Sequence, residues 1–252
     1  MTGETAKLPR ILLLQARDPG DPILTHELDC FIRRTGLPEE VFRSVNMPEA
    51  ELGEHLLEGV DLVTVGGAGD YSVVAGGFDW HDPMLELLGR VVDREVPMFA
   101  SCFGFQALVQ HFGGRLETDP ERAEIGTHTV ELTEEGRRDD FFGALPGRFD
   151  AQFGHKDSVV ELPDGMDRLA GSQRCDIQAV RLVGKPVVAT QFHPELSAED
   201  NMERYVRYIE NYAGTDETHE EAVARAESLH RESPEANELL ARYLERLFPE
   251  FA

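Results

Sequence analysis

Three short apolar runs limit the fold more than anything else in this chain: ILLLQA at 11–16, DLVTVGG at 61–67 and VPMFAS at 96–101. Each is brief and bounded by turn residues, the pattern of a strand buried on both faces. Between them the apolar spacing becomes helical. Leu28, Phe31 and Ile32 share a helix face that Gly36 closes, and Met84, Leu87, Leu88 and Val91 do the same over 83–94. VFRSV at 41–45 reads as another strand, 49–58 as an amphipathic stretch and 103–112 as a helix. Strands alternating with helices specify βαβ units on a parallel sheet. The expected fold is α/β and three-layered, with a mostly parallel central sheet.

From about 114 to 192 the character changes. THTVELT, FDAQFG, DRLAGS, IQAVRLV and PVVATQF lie between turn residues with little helical pattern, as in an antiparallel extension of the sheet. Ser197 is placed to cap a helix over 198–212, with Met202, Tyr205, Val206 and Ile209 on one face. The tail after Gly214 reads as an acidic helix at 217–231 and then a second helix opened by Ser233 and Pro234. Its stripe of Leu239, Leu240, Tyr243, Leu244, Leu247 and Phe248 either packs on the parent domain or docks a partner. The expected organisation is one domain over 1–213 and an acidic helical C-terminal extension over 214–252.

Composition narrows the function classes. The net charge of −24, from 48 acidic and 24 basic residues, disfavours nucleic acid, whose phosphates would be repelled. It fits either a salt-rich cytosol or simple solubility. No apolar run approaches the roughly 20 residues that cross a bilayer, and MTGETAKLPR has no apolar signal core, so a cytoplasmic protein with no membrane partner is expected. Three cysteines (Cys30, Cys102, Cys175) without a CxxC pair argue against a disulfide framework or zinc ribbon.

Chemistry could sit in three places. In FASCFGFQ, Cys102 falls between a strand end and a helix start, among the small residues Ala100, Ser101 and Gly104. There it is either a buried apolar filler or a nucleophile displayed on a tight bend, its thiolate favoured by the helix N-terminus. In TQFHPE, His193 and Glu195 are two apart, so an extended backbone puts both on one face, where a carboxylate can orient an imidazole. The alternative is a His-Pro-Glu turn that only caps the next helix. In VGGAGDY, Gly66, Gly67 and Gly69 let backbone N–H groups approach an anion, although neither GxxxxGK[ST] nor a full GxGxxG is present. Cys, His and Glu together make an acyl-transfer set, and an oxyanion hole from the glycine loop and the Phe103 N–H would complete it.

Taken together, these residues resemble the class I (triad) glutamine amidotransferases, especially GMP synthase glutaminase domains and their stand-alone relatives. That family shows G-x-C-x-G-x-Q followed later by H-P-E, matched here by Cys102, Gly104, Gln106, His193 and Glu195, over roughly residues 8–212. The resemblance implies a flavodoxin-like sheet and no cofactor or metal. It implies attack by Cys102 on the side-chain amide of glutamine to give a γ-glutamyl thioester, with His193 moving protons and Glu195 orienting it. Gly67 and Phe103 would supply oxyanion N–H groups, and Gly69 and Gln106 would meet the substrate. GHKDSVVELPDG (154–165) is similar to the family's S-H-G-D-x-V segment, which would put His155, Lys156 and Asp157 at the glutamine pocket.

The chain departs from the pattern at Ala100, where the family has glycine, at Gly154 and Lys156, and at Gly67-Ala68-Gly69 in the oxyanion loop. Residues 214–252 read as the acidic helical tail and not as a synthetase segment, so no ammonia acceptor is expected within these residues. Ammonia would go to a separate synthase subunit, or the protein would be a stand-alone hydrolase of γ-glutamyl amides or peptides. A non-catalytic regulatory subunit is the remaining alternative.

Overall fold

The computed structural model describes residues 8–209 and 218–249. Its first half is a run of βαβ units: β1 (Ile11–Ala16), α1 (Ile23–Thr35), β2 (Phe42–Asn46), β3 (Leu62–Ala68), α2 (His81–Asp93), β4 (Met98–Ser101) and α3 (Phe103–His111). The second half is mostly strands: β5 (Arg115–Thr118), β6 (Glu124–Leu132), the short α4 (Glu134–Arg138), β7 (Arg148–His155), β8 (Asp157–Glu161), β9 (Met166–Ser172), β10 (Ala179–Leu182) and β11 (Val187–Thr190). Helices follow as α5 (Ala198–Arg207), α6 (His219–Leu229), α7 (Pro234–Asn237) and α8 (Leu239–Leu247).

Nine strands form one sheet in the order β2-β1-β3-β4-β11-β10-β9-β6-β7, and β5 pairs with β8 in a separate ribbon. The pairings from β2 to β11 are parallel, and those from β11 to β7 are antiparallel. The expected α/β sheet with an antiparallel extension is therefore present. Every residue of β1 is buried, as its unbroken apolar sequence requires of a strand covered on both faces.

Alternate residues of the strands feed two cores. Leu12, Leu14, Val63, Val65 and Ala189 face α2 and α3, whereas Ile11, Leu13, Leu62, Phe99 and Val188 face α1 and the C-terminal helices. The C-terminal stripe packs on its own domain: Leu239, Leu240, Tyr243 and Leu244 of α8 are buried with Phe31, Phe99 and Phe141. The Tyr243 hydroxyl lies 2.8 Å from the Pro186 carbonyl oxygen and 3.2 Å from that of Met98. It thus meets the beginnings of β11 and β4.

Some local expectations change. The stretch 49–58 holds two short 3-10 turns, Met47–Glu49 and Glu54–Leu57, because Pro48 lacks a donor and Gly53 is extended. The helix capped by Ser197 forms with a full capping box to Asp200; Met202, Tyr205 and Ile209 of its expected face pack with Ala222 and Ala226 of α6, and Asn201 and Arg204 are buried as well. Ser233 does not cap α7 with its side chain, which instead accepts from Gln152 Nε2 at 3.1 Å. The expected ends of the helices near 212 and 217, and the expected boundary at 213/214, lie outside the described residues. No helix among the described residues is long and apolar enough to cross a membrane.

Candidate active site

Cys102 stands between β4 and α3 with φ 49° and ψ −102°. A residue with a Cβ in such backbone stores about 1–3 kcal/mol of strain. The turn is fixed on both sides: Cys102 N donates to Thr190 O at 2.8 Å, and Gln106 N donates to Cys102 O at 3.0 Å. Gly104 is needed because a Cβ there would stand 2.6 Å from Val65 Cβ, so α3 could not lie against β3. Cys102 is buried at the start of α3.

The neighbouring strand brings the base. Because β4 and β11 are parallel with Ser101 opposite Thr190, their carboxyl ends release Cys102 and the His193 loop side by side. His193 N donates to Gln152 O at 2.9 Å, anchoring the loop to β7. His193 Nδ1 lies 2.7 Å from Glu195 Oε1, and Cys102 lies near enough to favour the charge on the ring. With Nδ1 engaged by the carboxylate, Nε2 is the nitrogen left for proton transfer. Burial works against charge on His193, but Glu195 and Cys102 outweigh it and raise its pKa to about 9. Burial likewise disfavours the Glu195 carboxylate, yet His193 and Arg204 hold its pKa down at about 2.

The glycine loop lies against this pair. A Cβ on Gly67 would stand 2.7 Å from His193 Cε1, and one on Gly69 would meet the Tyr208 ring at 2.9 Å. The Gly69 N–H is already given to Ala16 O at 3.2 Å. A cavity of about 320 Å³ opens beside Cys102, and its lining includes Gly69, Phe103, Gln106, His155, Lys156 and Asp157. Gly67, His193 and Glu195 are not part of this lining, and His193 borders a smaller cavity of about 30 Å³ that shares Ala68 and Gly154 with it. A larger cavity of about 730 Å³ runs along β6 and β9 and contains none of the expected site residues. Chemistry, not size, identifies the site.

Several side chains expected at the substrate pocket make hydrogen bonds within the cavity wall. Gln106 Nε2 lies 2.9 Å from Asp157 O and 3.1 Å from Gln191 Oε1. The Asp157 carboxylate accepts from Ser72 Oγ and Thr118 Oγ1, both at 2.5 Å. His155 faces acceptors with both nitrogens, Asp157 O at 2.9 Å and Glu124 Oε2 at 3.1 Å. Burial opposes the Glu124 charge, but His155 outweighs it and lowers the pKa. A buried histidine–carboxylate pair thus shapes the backbone beside the cavity.

Behind Glu195 lies a set of groups that motif reading does not find. Arg204 Nη1 is 3.3 Å from Glu195 Oε1 and Arg204 Nη2 is 3.4 Å from Glu27 Oε1, which Arg17 Nη2 reaches at 3.1 Å. On the other side, Asn237 Nδ2 lies 2.9 Å from Pro194 O and 2.6 Å from Leu196 O. One sequence signal was present for Glu27: it shares the apolar face of α1 with Ile23, Cys30 and Phe31.

Comparison with known proteins adds independent findings. The family model described as glutamine amidotransferase class-I matches residues 36–209. A GMP synthase (glutamine-hydrolyzing) subunit from Thermococcus kodakarensis is 34% identical over 44% of this chain and 57% of its own. Its counterpart from Methanothermobacter thermautotrophicus is 36% identical over 45% of this chain and 61% of its own. The chain therefore spans about three-fifths of the length of these relatives. A glutamine amidotransferase structure from Thermotoga maritima superposes with TM-score 0.70 at 22% identity, covering 95% of this chain and 97% of the other. One from Methylobacillus flagellatus gives 0.70 at 19% identity, covering 95% of both chains. At such identities these structures speak for the fold.

Proposed function

Because the chain belongs to the class I glutamine amidotransferase family, we propose that it hydrolyses the side-chain amide of glutamine through a Cys102–His193–Glu195 triad. One observation carries the reading. A strained, nearly buried cysteine and a carboxylate-bound histidine emerge from adjacent parallel strands beside a cavity of about 320 Å³.

The cycle begins when His193 takes the thiol proton and Cys102 Sγ bonds to the amide carbon. The N–H groups of Gly67 and Phe103 hold the oxyanion. As the tetrahedral intermediate collapses, the C–N bond breaks and His193 returns the proton, so that ammonia leaves and a γ-glutamyl thioester remains. His193 then takes a proton from water, whose oxygen attacks the thioester carbon. The C–S bond breaks, the thiol is reprotonated and glutamate departs. Glu195 keeps Nδ1 occupied and balances the imidazolium in each half.

The two GMP synthase relatives are each named as one subunit of that enzyme, which supports a divided system in which a separate synthase chain receives the ammonia. Lys156 in the cavity wall supports a second reading, a stand-alone hydrolase whose larger γ-glutamyl amide carries a carboxylate toward that lysine. Ammonia release measured over glutamine and a panel of γ-glutamyl amides and peptides separates the two. Turnover of glutamine, lost in Cys102→Ala, is the expected result. Ammonia release retained in Cys102→Ala would remove the thiol mechanism.

A further inference from the structure

The triad carboxylate is one end of a buried row of alternating charge. Arg17, Glu27, Arg204 and Glu195 come from four different segments, yet none of their side chains is more than 7% exposed. Glu27 is shared: Oε1 meets both arginines, and Oε2 accepts from Gln15 Nε2 at 3.2 Å. Arg17 extends the row to the Tyr208 hydroxyl at 3.1 Å, and that hydroxyl donates to Asp21 at 2.6 Å. Arg207 then reaches Asp21 nearer the surface. The glycine loop rests on the same groups, since a Cβ on Gly66 would stand 2.5 Å from Glu27 Oε1.

Stability alone is a poor reason for such a row, because well-packed apolar residues often serve as well as buried ion pairs. Its position gives a better one. The groups facing His193 are Cys102 from the β4–α3 turn, Glu195 in its own loop and Arg204 from α5 through Glu195. Arg17 after β1 borders the same small cavity as His193, and Glu27 from α1 stands behind both arginines. Arg204 fixes the very oxygen that orients the imidazole, but its positive charge also opposes an imidazolium nearby. Glu27 offsets that charge.

We propose that Arg204 and Glu27 are positioning residues: Arg204 locks Glu195 Oε1 in place, and Glu27 neutralises Arg204 while supporting the Gly66–Gly67 loop. The proposal rests on the glutaminase reading for its kinetic consequence, but not for its electrostatic one. Removing Glu27's charge makes His193 easier to deprotonate, and removing Arg204's charge makes it harder. A purely structural role would not give opposite signs.

The test compares the full chain with its Glu27→Gln, Arg204→Gln and Arg204→Lys variants. The rate of Cys102 alkylation by iodoacetamide is followed against pH by mass analysis of the modified peptide, beside kcat and KM for ammonia release. The alkylation step that reports His193 deprotonation should move down by about one pH unit in Glu27→Gln and up by a similar amount in Arg204→Gln. In Arg204→Lys, which keeps the cation, it should stay near the wild-type position. For both neutral variants kcat should fall about 10- to 100-fold, with KM changed less than about two-fold. Movement in the same direction in both, or none in either, overturns the proposal. If Glu27→Gln does not fold, the contrast between Arg204→Gln and Arg204→Lys decides alone. Wild-type protein that releases no ammonia from glutamine would defeat the glutaminase reading, while the alkylation profiles would still decide this one.

Discussion

The side-chain amide of Asn237 lies 2.9 Å from the carbonyl oxygen of Pro194, the residue between His193 and Glu195. It also meets Leu196 O at 2.6 Å, so one amide braces both ends of the turn that carries Glu195. Asn237→Leu keeps the bulk and leaves two buried carbonyl groups without this donor. We expect a loss of about 1–3 kcal/mol in urea denaturation. The turn would also loosen, so kcat should fall more than KM rises. Unchanged kinetics in a destabilised variant would confine Asn237 to folding.

The strain at Cys102 predicts an inverted order of stability. At an ordinary position alanine is preferred to glycine, but at φ 49° and ψ −102° only glycine is relaxed. Cys102→Gly and Cys102→Ala both lack the thiol. The glycine variant should be more stable than the alanine variant by about 1 kcal/mol in chemical denaturation. The reverse order would mean that the turn is not strained.

Stability should depend on pH through His193 in a definite direction. Folding raises its pKa from 6.5 to about 9, so the stabilisation is complete below pH 6.5 and is lost as pH rises through about 9. Glu195 does the opposite at the acid end: its contribution is present above pH 4.5 and fades as pH falls toward about 2. Urea midpoints should therefore decline between pH 7 and 10, and His193→Gln should flatten that decline. An equal slope in both proteins would place the titration elsewhere.

Gly67→Ala tests the contact between loop and base. The new methyl would stand 2.7 Å from His193 Cε1, while Glu195 at 2.7 Å holds the neighbouring Nδ1. The ring or the loop must shift, and misplacement on that scale can lower kcat by about 100-fold. Steady-state ammonia release is the measurement, and wild-type kcat would show that the loop yields without consequence.

Much of this arrangement was legible because it is local. The apolar runs at 11–16 and 96–101 became β1 and β4, and the small residues around Cys102 marked a tight bend that forms. The parallel pairing of β4 and β11 then set the Cys102 turn beside the His193 loop, without any motif having to encode their distance. What was not legible depends on contacts between distant segments. Arg204 follows an ordinary capping box in an acidic stretch, and only the docking of α5 against α1 turns it toward Glu27. The expected face of Met202, Tyr205 and Ile209 does pack against α6, but periodicity counts only apolar residues and so misses Arg204, which the fold buries with its ion partners. Gln106 and Asp157 were placed at the right wall, but their partners Gln191, Ser72 and Thr118 could not be read from spacing.

The reach of Tyr243 to Pro186 and Met98 bears on the order in which the molecule is built. Those two carbonyl groups precede β11 and open β4, the strands whose far ends carry His193 and Cys102. A ribosome delivers β4, β11 and the His-Pro-Glu turn well before residues 237 and 243. Until those later residues emerge, Phe99 lacks its Tyr243 neighbour, and the turn lacks its Asn237 brace. The surroundings of the thiol centre are thereby complete only once α7 and α8 are in place.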